Sequence, residues 1–146
     1  ATSDEHNEFG EICEEAENRK LMVEKRMKKL EAALEEMPKP LLIGEENAEI
    51  TLVTWNSTKL ACLEAMEILG KDKVNILQIR SAYPFHKKEV SEILEKAKRL
   101  VAVEQNYTAQ MAGLVAENTG ILIEEKILRY DGRPMTAVNI IDGLKL

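Results

Sequence analysis

The strongest constraint on this chain is a hydrophobic pattern that switches period several times between Ile50 and the C-terminus. Ile50-Thr51-Leu52-Val53-Thr54-Trp55 is a short apolar, β-branched run and reads as a buried strand. A helix follows to about Leu69, with Ser57 placed to cap its start and Gly70 its end. Val74–Ile79 is a second strand-like run. The helix after it, Lys87 to Arg99, shows Val90, Ile93, Leu94 and Ala97 on one face. Leu100–Val103 is the third strand, and Asn106 or Thr108 opens a helix carrying Met111, Leu114 and Val115 and closed by Gly120. Ile121–Ile127 reads as a fourth strand, and Pro134 precedes a last short helix over Thr136–Leu144. Strands alternating with helices of roughly 10 to 15 residues need crossover connections, so the pattern predicts a three-layer α/β fold with parallel strands and helices on both faces.

The first 40 residues follow other rules. Residues 1–17 are acidic and aperiodic, and are expected to form a mobile leader. Val23, Met27, Leu30, Leu34 and Met37 then recur at spacings of 4, 3, 4 and 3, which predicts an amphipathic linker helix within residues 18–40. Pro38 and Pro40 stop it. This helix has no strand partner, so it is expected to pack across the body or against another subunit and to support self-association. The α/β domain proper occupies residues 41–146. The chain opens on Ala1 rather than methionine, as expected of an excised piece or a processed product.

Charge narrows the function. The formal net charge is −6, with 20 basic residues distributed among 26 acidic ones. Nucleic-acid binding leaves a basic footprint, and none is visible. No apolar run approaches the roughly 20 residues that a membrane span requires, and the acidic N-terminus is unlike a secretory signal. Cys13 and Cys62 form no CxxC or Cys/His cluster, so neither a zinc site nor an iron–sulfur cluster is expected on this chain alone. Two scattered cysteines in an acidic chain read as reduced thiols, which points to the cytoplasm.

Polar loops after the strands supply the candidate site residues. Trp55, Ser57 and Thr58 lie where the first strand meets its helix, a common anion position in open α/β sheets. The loop has no glycine, so neither a P-loop nor a GxGxxG turn is available, and capping by Ser57 with packing by Trp55 is the plainer reading. Glu104, Asn106 and Tyr107 follow the third strand on the same edge. They read as a helix cap plus a carboxylate and a phenol at a subunit contact. Tyr83 and Phe85 flank Pro84 after the second strand, and His86 beside them reads as a solvated or capping residue. No nucleophile–base pair is evident, so no catalytic residue and no metal ligand is assigned.

Several strings, taken in order, resemble the C-terminal domain of the alpha subunit of 2-oxoacid:ferredoxin oxidoreductases, the 2-oxoglutarate type especially. They are Thr54-Trp55-Asn56-Ser57-Thr58, Leu77-Gln78-Ile79-Arg80, Tyr83-Pro84-Phe85, Val103-Glu104-Gln105-Asn106-Tyr107-Thr108 and Tyr130-Asp131-Gly132-Arg133-Pro134. Upstream, Glu17-Asn18-Arg19-Lys20 and Met22-Val23-Glu24-Lys25-Arg26 resemble that family's linker helix. The resemblance implies a transketolase C-terminal-like domain, with a mainly parallel sheet and one antiparallel edge. It implies an enzyme that oxidatively decarboxylates a 2-oxoacid to an acyl-CoA, using thiamine diphosphate and magnesium and passing electrons through iron–sulfur clusters to ferredoxin. Those groups would sit on other domains and on the beta subunit. The part left to this chain is non-catalytic assembly, holding the alpha subunit's own pyrimidine-binding domain and contributing to a homo-oligomer. The family usually has glycine where Asn56 and Ala109 stand. Asn56 tolerates positive φ, so the turn is expected to survive, whereas Ala109 takes space at a helix start. The alternative reading is an autonomous module that binds a small anionic ligand at the 54–59 and 104–108 loops.

Overall fold

The computed structural model describes residues 4–146. Its contacts divide between Met37 and Pro38 into two units.

The first unit is a turn followed by a long helix. Residues 5–13, aperiodic in sequence, are tied together by local polar bonds rather than by apolar packing. The Asn7 side chain accepts from the backbone N–H groups of Phe9 and Glu11, each at 3.0 Å. His6 and Ile12 form an isolated antiparallel bridge, and the Cys13 N–H donates to the Glu5 carbonyl at 3.0 Å. Glu5 is buried, and its carboxylate receives the Arg26 guanidinium at 3.2 and 2.5 Å. Helix α1 (Ala16–Glu36) starts two residues earlier than the spacing indicates. Met37 after it is extended at φ −73°, ψ 147°, the conformation imposed by a following proline. Along the expected stripe, Val23 and Met27 are exposed while Leu30, Leu34 and Met37 are half-buried.

The second unit is a five-stranded sheet in the order β1-β3-β2-β4-β5. Strands β2 (Ile50–Trp55), β3 (Val74–Ile79), β4 (Leu100–Glu104) and β5 (Glu125–Leu128) run parallel, and β1 (Leu41–Ile43) lies antiparallel on the β3 edge. The central strand β2 is buried from Ile50 to Thr54, as a strand covered on both faces must be. Helices α2 (Lys59–Leu69) and α5 (Ala137–Leu144) cover one face over Leu52, Ile76, Val101 and Val103. Helices α3 (Lys87–Leu94) and α4 (Gln110–Thr119) cover the other over Val53, Leu77, Ile79 and Ala102. From β2 the chain moves to β3 on one side through α2, then returns across β2 to β4 through α3. Because the direction reverses, the connecting helices land on opposite faces, as crossovers of one hand require. Gly143 lets α5 lie close on β5, since a Cβ there would sit 2.9 Å from the Ile127 side chain.

Three expected boundaries move. Strand β1 is absent from the sequence reading, because three residues after Pro40 carry no periodicity and are strand only through their pairing with β3. Helix α3 ends at Leu94 rather than Arg99, because the Arg99 carbonyl already accepts from Thr51 N–H at 2.8 Å in extending the sheet. The fourth strand begins at Glu125 rather than Ile121. Ile121 and Ile123 instead pack against the α3/α4 face before the chain pairs with β4.

The Glu5–Arg26 pair yields a titration. The hydrogen bond from Arg26, helped by one from the His6 N–H, holds the Glu5 carboxyl at about 2, below its ordinary 4.5. A depressed carboxylate stabilises the fold above its ordinary value, and that stabilisation is lost as pH falls toward 2. Arg26→Gln is expected to raise the Glu5 midpoint toward the ordinary value, read by NMR of the side-chain carboxyl carbon. An unchanged midpoint would mean that Arg26 does not set it.

Candidate functional site

The sheet order reverses at β2, so a crevice opens at its carboxyl edge between the loops that follow β2 and β4. The loop after β2 is a 3-10 turn, Asn56–Thr58. Asn56 takes φ +52°, so the turn keeps the left-handed backbone despite the missing glycine. Ser57 is exposed and does not cap α2; Thr58 occupies the cap position and makes no capping bond. The buried Thr58 hydroxyl instead lies 2.8 Å from the Trp55 carbonyl and against the Thr54 hydroxyl, itself 3.3 Å from the Val103 carbonyl, and the two hydroxyl protons serve two of these three contacts at a time. This hydroxyl chain locks the turn to both central strands. Trp55 is half-buried against the α3/α4 face, as its packing reading requires.

Glu104 at the end of β4 is 1% exposed, with both carboxylate oxygens occupied. One accepts the Ala112 N–H at 2.9 Å; the other accepts the Met111 N–H at 2.9 Å and the Asn106 amide at 2.7 Å. The carboxylate thus satisfies two of the N–H groups that a helix start leaves open, at the positive end of the α4 dipole. Asn106 also accepts from the Gln110 N–H at 3.2 Å, although the cap position itself belongs to Ala109. Ala109 stands at the formal cap position with φ +53°, so α4 begins at Gln110, later than the sequence suggests. The cost at Ala109 is therefore backbone strain as well as space.

Tyr107 is exposed and packs edge-to-face on Tyr130, with ring centroids 4.9 Å apart and an interplanar angle of 86°. The loop carrying Tyr130 is fastened from beneath. The Arg129 N–H donates to the Glu104 carbonyl at 3.0 Å, and its guanidinium forks onto Asp131 at 3.0 and 3.3 Å and bonds Asn139. Asp131 is held below the usual carboxylate range, first by that Arg129 bond and then by the Arg133 N–H. After β3, Tyr83 is exposed while Phe85 and His86 are buried. His86 is not solvated; it occupies the N-terminal cap position of α3, with Nδ1 3.8 Å from the Glu89 carboxylate.

Trp55, Ser57, Thr58 and Asn106 therefore line one cleft of about 270 Å³, completed by Asn56, Gln105 and Gln110. Glu104 and Phe85 lie beneath the surface, and Tyr83 and Tyr107 project from neighbouring loops. The cleft offers hydroxyls and amides but no charged side chain. Cys62, buried on α2, has its thiol pushed up to about 12 by burial, so it is no thiolate nucleophile. Among the described residues, no three His, Cys, Asp or Glu side chains are grouped to hold a metal. Tyr130 enters the sequence reading only through the family resemblance and is not among its candidate site residues. Its place on this edge follows once Arg129 is put directly after a parallel strand.

Comparisons with known proteins agree with this architecture. Residues 41–142 match the family described as transketolase, C-terminal domain. Subunit alpha of 2-oxoacid:ferredoxin oxidoreductase 1 from Aeropyrum pernix is 39% identical over 98% of this chain and 24% of its own length. The corresponding subunit alpha from Saccharolobus solfataricus is 38% identical over 99% of this chain, again 24% of its own length. A solved 2-oxoglutarate:ferredoxin oxidoreductase from Magnetococcus marinus, with 2-oxoglutarate, coenzyme A and succinyl-CoA bound, superposes with a TM-score of 0.88. It is 25% identical, over 99% of this chain and 26% of that one. The chain thus spans about a quarter of the length of the relatives it matches.

Glu104→Gln leaves one oxygen for two buried N–H groups and turns an amide toward the other. It is expected to destabilise the domain by about 2 kcal/mol in chemical denaturation. A loss below about 0.5 kcal/mol would show that the carboxylate does not anchor α4.

Proposed function

Since this chain belongs to the transketolase C-terminal domain family, we propose that it is the C-terminal part of the alpha subunit of a 2-oxoacid:ferredoxin oxidoreductase. The observation that carries this reading is the likeness to alpha subunits across nearly the whole chain, first unit included. A generic α/β domain would match over the sheet alone. The 2-oxoglutarate type is favoured by the Magnetococcus marinus likeness. The enzyme oxidatively decarboxylates its 2-oxoacid to an acyl-CoA in the cytoplasm. Thiamine diphosphate, magnesium, coenzyme A and the iron–sulfur clusters that feed ferredoxin belong to its other domains and subunits.

This chain's part is assembly. Its carboxyl edge presents Tyr83, Tyr107 and Tyr130, all more than 60% exposed, on the loops that follow β3, β4 and β5. Tyrosine brings large contact area with few rotatable bonds, which suits it to the energetic centre of an interface. The Tyr107–Tyr130 pair is already held in place by Asn106, Arg129 and Asp131, so little ordering remains to oppose docking. The pyrimidine-binding domain and the beta subunit are the partners of this face. The α1 stripe around Val23 and Met27 adds a self-association surface.

The test is co-expression of this chain with the remaining alpha-subunit domains and the beta subunit from the same organism, followed by sizing with light scattering. The expected result is one complex containing all three, with Tyr107→Ala combined with Tyr130→Ala weakening capture of this chain at least about tenfold. Elution of this chain alone, or capture indifferent to both substitutions, would contradict the assembly role.

A further inference from the structure

A second cleft of about 370 Å³ adjoins the first and shares Trp55 and Asn56 with it. Its other walls include Gln78, Arg80, Ile79 and Met111, and it is lined by no acidic side chain. The parallel register pairs Trp55 with Ile79, so the chains leave β2 and β3 side by side, with Asn56 and Arg80 next in order. Arg80 is exposed and makes no hydrogen bond or ion pair among the described residues. That sets it apart from Arg99 and Arg129, each forked onto a carboxylate, Glu125 and Asp131 respectively. In a chain of net charge −6, an acid-free hollow holding an unpaired guanidinium is a place where an anion gains most and meets least repulsion.

We propose that this cleft binds a small oxyanion carried on a flat ring, of the nucleoside monophosphate class. The Arg80 fork matches two oxygens of a phosphate, a geometry that a lysine does not reproduce. The amides of Asn56 and Gln78 supply the directional bonds at its margin. Trp55, with Ile79 and Met111, forms the apolar wall against which a ring stacks. The volume falls within the range of small-ligand sites. The hydroxyl and amide cleft beside it has no such cation, so the anionic moiety belongs on the Arg80 side. This inference does not rest on the assembly role, and the two fail independently.

Trp55 is the sole tryptophan, so its fluorescence reports on this cleft directly. The experiment titrates the chain with adenosine monophosphate and, in separate arms, with inorganic phosphate and with adenosine. The expected result is saturable quenching by the monophosphate, with phosphate or adenosine alone at least about tenfold weaker and the monophosphate losing affinity as salt rises. Arg80→Gln is expected to weaken the monophosphate at least about tenfold with the melting temperature unchanged, and Arg80→Lys to recover only part of it. No saturable change up to about 10 mM would overturn the proposal, since such an affinity is below any specific site of this kind. So would an Arg80→Gln variant that binds like the parent. Phosphate and the monophosphate binding equally would overturn the ring contact.

Discussion

The carboxyl edge of this domain depends on one buried carboxylate. Glu104 ends a central strand inside the fold, where an unpaired charge would be very costly. It is tolerated because two backbone N–H groups of α4 and the Asn106 amide converge on it. The converse holds as well: α4 starts at a left-handed alanine with no capping side chain of its own, and relies on a carboxylate five residues earlier. The Glu104 carbonyl also receives the Arg129 N–H, which draws the loop after β5 onto the same edge. One residue thereby sets the start of a helix, the seat of Tyr107 and the approach of Tyr130.

Much of the fold was legible because its signals are local. Ile50–Trp55 and Val74–Ile79 are dense apolar runs, and both are strands at the expected residues. Gly70 and Gly120 close their helices with positive φ, and Thr136 opens the last helix with a capping box. What failed was long-range. β1 exists only because β3 lies beside it, and the resemblance that implied an antiparallel edge did not say which residues form it. Arg99 looks helical in its window but is drawn into the sheet by Thr51 and toward Glu125 by its guanidinium. Residues 5–13 differ: much of their order is local but polar, from Asn7 together with the Glu5–Arg26 pair, so it leaves no hydrophobic period.

The site was half legible for the same reason. Strand-end position alone brings Trp55, Ser57, Thr58 and Asn106 to one cleft, since the order reversal at β2 leaves that crevice open. Residue type misled where direction mattered. A glutamate after a strand reads as a surface acid, yet strand alternation and the α4 N-terminus turn Glu104 inward. Ser57 reads as a cap, yet the 3-10 turn places Thr58 there and points its hydroxyl back at Trp55. Arg80, a guanidinium without a partner among the described residues, lies outside the loops that motif reading favoured, and only the β2–β3 register brings it beside Asn56. The proposed roles follow this division: tyrosines at the rim for protein contact, and neutral and cationic hollows between the loops.

The most direct test of this account is native-state hydrogen exchange at the Met111 and Ala112 amides. Amides in the first turn of a helix lack intrahelical acceptors and normally exchange early. If Glu104 holds them, both should exchange as slowly as the β2 and β4 ladder amides, opening only with the whole domain. Exchange at the rate of an ordinary frayed helix start would contradict the claim that this carboxylate organises the edge.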